Sequence, residues 1–138
     1  MILAPSDFLG RWSIERIIQE ARSVEPARFK GVATITETET FWEFSETGEL
    51  SLPTGAKMHA ERKYLWKPNG SGFDVYFDDE RFFHRFELGV QAQASHWCDP
   101  DQYDVAYDFN AWPKWTSTWN VSGPRKDYVM KSDHQKLT

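Results

Sequence analysis

Arg16 and Arg62, His84 and His96, Cys98 and the hydroxyls of Tyr64 and Tyr107 are the side chains of this sequence whose types and spacing could do chemistry. Each falls in step with aromatic or aliphatic residues at alternate positions. Arg62 shares the phase of Ala60, Tyr64 and Trp66, and Arg16 that of Trp12, Ile14 and Ile18. His84 goes with Phe82, Phe86 and Leu88, while His96 and Cys98 go with Ala92 and Ala94. Alternate residues of a strand face the same way, so these polar groups belong to the face that carries the rings. Tyr103, Val105, Tyr107 and Phe109, then Trp115, Ser117, Trp119 and Val121, continue that face.

An arginine keeps its proton at physiological pH, so when taken out of water it needs an anion, a hydrogen-bonding shell or water. Glu15, Glu61, Asp104 and Asp108 fall on the opposite phase. The expected counter-charge is therefore a ligand's carboxylate or phosphate, which a guanidinium fork fits well. The alternative is that Arg16 and Arg62 sit near an opening, pack their stems and reach water. His84, His96 and Cys98 are ligands that suit zinc, but their spacing matches no compact zinc motif, and the expectation is no metal. Ser117 and Cys98 are the inward nucleophile candidates, and the chain has no Gly-x-Ser-x-Gly elbow or phosphate loop.

Positioning these groups falls to strands. Seven Trp, ten Phe and five Tyr stand in 138 residues, in short segments parted by Gly, Pro, Asn or Asp. A sheet with one densely aromatic face must enclose it, and rolling into a barrel covers the face and removes exposed edges. Strands are expected over 28–37, 40–46, 49–52, 59–67, 73–77, 81–88, 91–98, 102–109 and 114–122, with turns at Thr47-Gly48, Pro53-Thr54-Gly55 and Pro68-Asn69-Gly70. The opening segment fits either a helical stripe of Ile14, Ile17, Ile18 and Ala21 or a strand face of Trp12, Ile14 and Ile18. We read it as a strand, because a barrel needs a first strand to close against its last. The fold class is all-β, a single antiparallel up-and-down barrel of about 8–10 strands spanning residues 1–138, with 131–138 a flexible basic tail.

Charged residues make up 27% and hydrophobic residues 40%, as in ordinary globular domains. The net charge of −5 argues against nucleic acid as a partner, and no apolar run is long enough for a membrane span. The one cysteine, Cys98, excludes an intrachain disulfide and points to a cytoplasmic protein. Trp97 and Trp112 read as exposed and keep a homodimer or scaffold role open beside a monomer.

Gly10-x-Trp12 at the head of a first strand, with a basic residue on the last strand, resembles the signature of the calycins, the lipocalin and fatty-acid-binding-protein type of barrel. The resemblance implies a floor shut by Trp12 under a cation, here Arg125 or Lys126. The motifs Arg62-x-Tyr64-x-Trp66, Phe83-His84-x-Phe86, His96-x-Cys98, Tyr103-x-x-x-Tyr107-x-Phe109 and Gly123-Pro124-Arg125-Lys126-Asp127-Tyr128 resemble a family catalogued only as a domain of unknown function. Fatty-acid-binding proteins carry a two-helix lid between their first strands; the segment from Ala21 to Ala27 is too short for one. Haem ligation by one histidine is an alternative that rests on the resemblance alone.

The sequence thus reads as a binding barrel for a small amphipathic molecule with an anionic group, its cofactor unknown. The ligand-binding residues are Arg16, Arg62, Tyr64, His84, Phe86, His96, Tyr107, Trp115 and Trp119. The alternatives are a cofactor-free isomerase or cyclase in the same cavity, using His84, His96 or Tyr64, and an interaction module whose barrel is filled by its own rings.

Overall fold

The computed structural model describes residues 2–137. A 3-10 turn at Pro5–Phe8 leads into ten strands: β1 (Gly10–Glu20), β2 (Ala27–Thr36), β3 (Trp42–Ser51), β4 (Lys57–Asn69), β5 (Gly72–Phe77), β6 (Phe82–Glu87), β7 (Gln91–Cys98), β8 (Asp101–Asp108), β9 (Lys114–Ser122) and β10 (Asp127–Lys136). They form one antiparallel sheet in the order β6-β5-β4-β3-β2-β1-β10-β9-β8-β7. The opening segment is a strand, and β1 pairs with β10 on one side and β2 on the other. The result is a nearly closed, lipocalin-like up-and-down barrel. Among the described residues no ladder joins β6 to β7; rings bridge this seam instead, with Phe83 and His96 5.7 Å apart.

The rings that alternate in sequence form the interior. Trp12, Phe73, Phe83, Phe86, Phe109 and Trp115 are all buried. The N-terminal turn plugs one end: Phe8 packs edge-on against Phe73, Phe109 and Trp115, and Trp12 donates its indole N–H to the Phe8 carbonyl at 2.9 Å. Gly10, at φ 118°, makes the bend between plug and strand that other residues resist. Trp112, expected to be exposed, lies in this plug 4.8 Å from Phe8 and 5.4 Å from Trp12, whereas Trp97 is exposed as expected.

Four expectations are corrected. Thr47-Gly48 is no turn, because β3 runs unbroken through it and Gly48 sits opposite Gly31. The two backbones touch there: a Cβ on Gly31 would lie 2.3 Å from the Thr47 carbonyl oxygen, and one on Gly48 2.3 Å from that of Lys30. Glycine at this pair permits a close strand approach rather than a reversal.

The stretch expected as a flexible tail from residue 131 is the second half of β10 as far as Lys136; Thr138 lies outside the described residues. Its inner face is Met130, Ser132 and His134, too polar to stand out as a strand by ring spacing.

In β6 a bulge shifts the register between Val75 and Tyr76. Phe83 and His84 both turn inward and Phe82 turns out, 49% exposed, against the simple alternation that placed Phe82 inside.

Finally, the cation over Trp12 is neither Arg125 nor Lys126. Antiparallel pairing sets the start of β1 against the end of β10, with Trp12 opposite Lys136. Lys136 Nζ lies 4.6 Å from the Trp12 ring and donates to the Leu9 carbonyl. Arg125 and Lys126 sit before β10 at the opposite end of the barrel, where Lys126 donates to Tyr103 Oη at 3.2 Å and pairs with Asp101.

Candidate functional site

The inward positions of β1, β3, β4, β9 and β10 meet those of β6 and β8 around a central chamber of about 30 Å³, walled by both aromatic and polar side chains. A water needs roughly 10–15 Å³ of such space, so the barrel's own rings fill most of the lumen and leave room for about two to three heavy atoms. Toward the end opposite Trp12 lies a mouth hollow of about 110 Å³, bounded by Ile18, Phe29, Leu50 and Ala60. Arg16, Glu46, Arg62 and Met130 border both spaces and form the partition between them.

Arg16 has its anion inside the protein. Its Nη1 and Nη2 donate to Glu46 Oε1 and Oε2 at 2.9 and 2.6 Å, and its Nε donates to Ser132 Oγ at 2.6 Å. Both residues of the pair are buried. Glu46 shares the phase of Trp42 and Phe44 on β3, so the expectation that no carboxylate enters the lumen is overturned. That phase is legible in the sequence, but Thr47-Gly48 reads there as a turn that ends the strand at Glu46.

Arg62, across the ladder from Glu46, is exposed at the mouth. Its Nη1 donates to Tyr64 Oη at 3.2 Å, and among the described residues it has no ion-pair partner. Burial first, then the charge on Glu46, pushes the Tyr64 phenol up to about 12, while the Arg62 charge pulls the other way. Tyr64 therefore stays a neutral hydroxyl.

Two histidines occupy the chamber wall. His84 Nε2 and Tyr107 Oη are 2.8 Å apart in a buried hydrogen bond, and His84 Nδ1 has no partner. His134 lies flat on Trp115, and neither of its ring nitrogens nor the Trp115 Nε1 has a partner. Burial holds both imidazoles neutral, with pKa values pushed down to about 3; a charge on His96 adds to this for His84 and that of Arg16 for His134, where the Trp115 backbone weakly opposes it. Burial also raises the Tyr107 phenol.

A model described as a family of unknown function (DUF6314) matches residues 8–136, which is nearly the whole chain. The chain belongs to this family. Among solved structures, the S-type phycobiliprotein lyase of Guillardia theta superposes with a TM-score of 0.64 at 9% identity, over 96% of this chain and 91% of that one. A protein of unknown function from the DUF3598 family of Nostoc punctiforme superposes at 0.63 and 11% identity, over 96% of this chain and 48% of that one. At such identities the common property is the fold. No curated protein matches the sequence.

Within this DUF6314 barrel, Arg16, Arg62, Tyr64, His84, Tyr107, Trp115 and Trp119 all border the chamber. Phe86 stands behind it, stacked on Tyr107 at 4.1 Å, and His96 lies apart at the β6/β7 seam between Phe82 and Phe83. Glu46, Ser132 and His134 are polar lumen residues that the sequence reading missed. Alternation through Met130, Ser132 and His134 was the available signal, masked by the basic residues between them. Among the described residues no three His, Cys, Asp or Glu side chains are grouped to hold a metal ion, and no helix is long and apolar enough to cross a membrane.

Proposed function

We propose that this DUF6314 barrel binds a small amphipathic molecule at its mouth, with an anionic group on Arg62 and a polar tip reaching the chamber. One observation carries the reading: four buried polar atoms, His84 Nδ1, His134 Nδ1 and Nε2 and Trp115 Nε1, have no protein partner, and all belong to residues on one chamber's wall. Leaving a buried donor or acceptor unpaired costs about 1–3 kcal/mol. A barrel selected only as a solid core would carry Leu or Phe at positions 84 and 134 and avoid that loss. Such groups are instead what a site for a polar ligand group requires.

The anion assignment moves from two arginines to one. Glu46 neutralises Arg16, whereas Arg62 borders the lumen with only a phenol as partner. A chamber of about 30 Å³ takes no ring, so the ligand's bulk belongs in the mouth hollow. The fold shared with the Guillardia theta lyase is compatible with this and adds nothing about the ligand. The unpaired Cys98 fits a cytoplasmic setting.

Titration with the anionic aromatic probes 1-anilinonaphthalene-8-sulfonate and 1-naphthoate tests the reading through tryptophan emission, since Trp119 and Trp115 border the chamber. Saturable quenching that weakens about tenfold in Arg62→Ala, about 1.4 kcal/mol, is the expected result. Emission unmoved by both probes, or affinity unchanged in Arg62→Ala, would sink it.

A further inference from the structure

The inner chamber and the mouth share Arg16, Glu46 and Arg62 at their partition, but of these only Arg62 is exposed to water. Of the two cations that border the chamber, Arg16 is buried, matched by Glu46 in a two-pronged pair and held by Ser132, whereas Arg62 is exposed at the mouth, so the buried part of the wall carries no net charge. The remaining polar side chains of the wall are neutral: the Ser117 hydroxyl and the rings of Tyr64, Tyr107, His84, His134 and Trp115. Trp115 Nε1 can only donate, and a neutral His134 has one donating and one accepting nitrogen. His84 Nδ1 supplies one more donor or acceptor, according to which tautomer its bond to Tyr107 selects.

We infer that the chamber is a subsite for an uncharged group that both donates and accepts hydrogen bonds, of the carboxamide or lactam class, and that it excludes carboxylates. This rests on the reading of the barrel as a small-molecule binder and adds the class of its ligand: a neutral amide-like tip inside and an anion outside at Arg62. A carboxylate can only accept, so it would leave the accepting nitrogen of His134 facing an oxygen lone pair. It would also bring a second negative charge beside Glu46 in a desolvated space. An ammonium would bring a positive charge against the Arg16 guanidinium and the donating Trp115 N–H. An amide offers N–H and C=O together, and its three heavy atoms match a chamber of about 30 Å³. Met130, an unbranched and adaptable side chain, lies on the partition between the two spaces.

Formamide and formate make a direct test because they have the same size and differ in charge and in hydrogen-bond donors. With nitrogen-labelled protein, the indole N–H of Trp115 and the imidazole nitrogens of His84 and His134 report on the chamber, and the Nε–H of Arg62 reports on the mouth. Formamide should shift the chamber signals saturably, with a half-effect concentration at least tenfold below any seen with formate, while formate should shift Arg62. His134→Phe, which fills the space with a ring able to keep the stack on Trp115, should abolish the formamide shift at Trp115 and leave the formate response of Arg62 intact. Chamber signals that respond equally to formate, or to neither probe, would overturn the amide subsite. An Arg62 signal deaf to anions, with the chamber shifts intact, would instead overturn the placement of the anion at the mouth.

Discussion

His134 lies parallel to Trp115 inside the barrel, ring centroids 3.7 Å apart and planes within 7°, from facing positions of paired strands. So close a stack in a buried position suits a neutral imidazole, since desolvation opposes a charge there more strongly than one ring face favours it.

Stability should therefore fall in acid in a defined window. His134 and His84 have folded pKa values of about 3, and near 6.5 in the unfolded chain. Between those values the unfolded chain binds more protons than the folded one, so their contribution is intact above about pH 6.5 and is lost as pH falls toward 3. Each group adds a slope of about 1.4 kcal/mol per pH unit in mid-window. Urea unfolding from pH 4 to 6 should show a shallower pH dependence in His134→Phe by about that amount. An unaltered slope would mean that His134 is not held neutral.

The Arg16 and Glu46 pair should prove costly to break and cheap to replace. Glu46→Gln leaves a buried guanidinium without its anion, with an expected loss of about 3–5 kcal/mol. Arg16→Met together with Glu46→Leu should recover most of that loss, because two apolar side chains need no desolvated charge. Denaturant midpoints of the single and double variants measure both; equal losses in the two would point to packing rather than charge.

Lys136 should be the residue that protects Trp12. Lys136→Met removes a cation from the indole face and a donor from the Leu9 carbonyl, an expected loss of about 0.5–2 kcal/mol with altered emission from Trp12. The double variant Arg125→Ala, Lys126→Ala should leave Trp12 emission unchanged, since the register sets those residues at the other end of the barrel. A response of Trp12 to that double variant would contradict the pairing of β1 with β10.

Much of this architecture is written in local pattern. Alternation of Trp, Phe and Tyr marks the inner faces of β1, β4, β8 and β9, and it places Arg16, Arg62, Tyr107 and Trp119 on the chamber wall without knowledge of any partner strand. Where the inner face is not aromatic, local pattern marks it less clearly. Glu46 keeps the phase of Trp42 and Phe44, but Thr47-Gly48 reads as a turn that ends the strand at it, and the phase of Met130, Ser132 and His134 carries no Trp, Phe or Tyr to mark it as the inner face. At Phe82 and Phe83 the pattern itself misleads, because a bulge inserts a residue that only the pairing with β5 reveals.

The sequence alone determined that the chain is a barrel with a ring-lined interior, which follows from a period of two and from the need to bury apolar area that each strand expresses by itself. The closure of one end by a tryptophan near the start was implied by the resemblance of Gly10-x-Trp12 to the calycin signature. Only the tertiary structure decided which charges meet. Glu46 finds Arg16 from thirty positions away and Lys136 reaches Trp12 from the far end of the chain, through ladder registers that are collective properties of paired strands. Those registers neutralise one arginine and leave another without an ion-pair partner among the described residues.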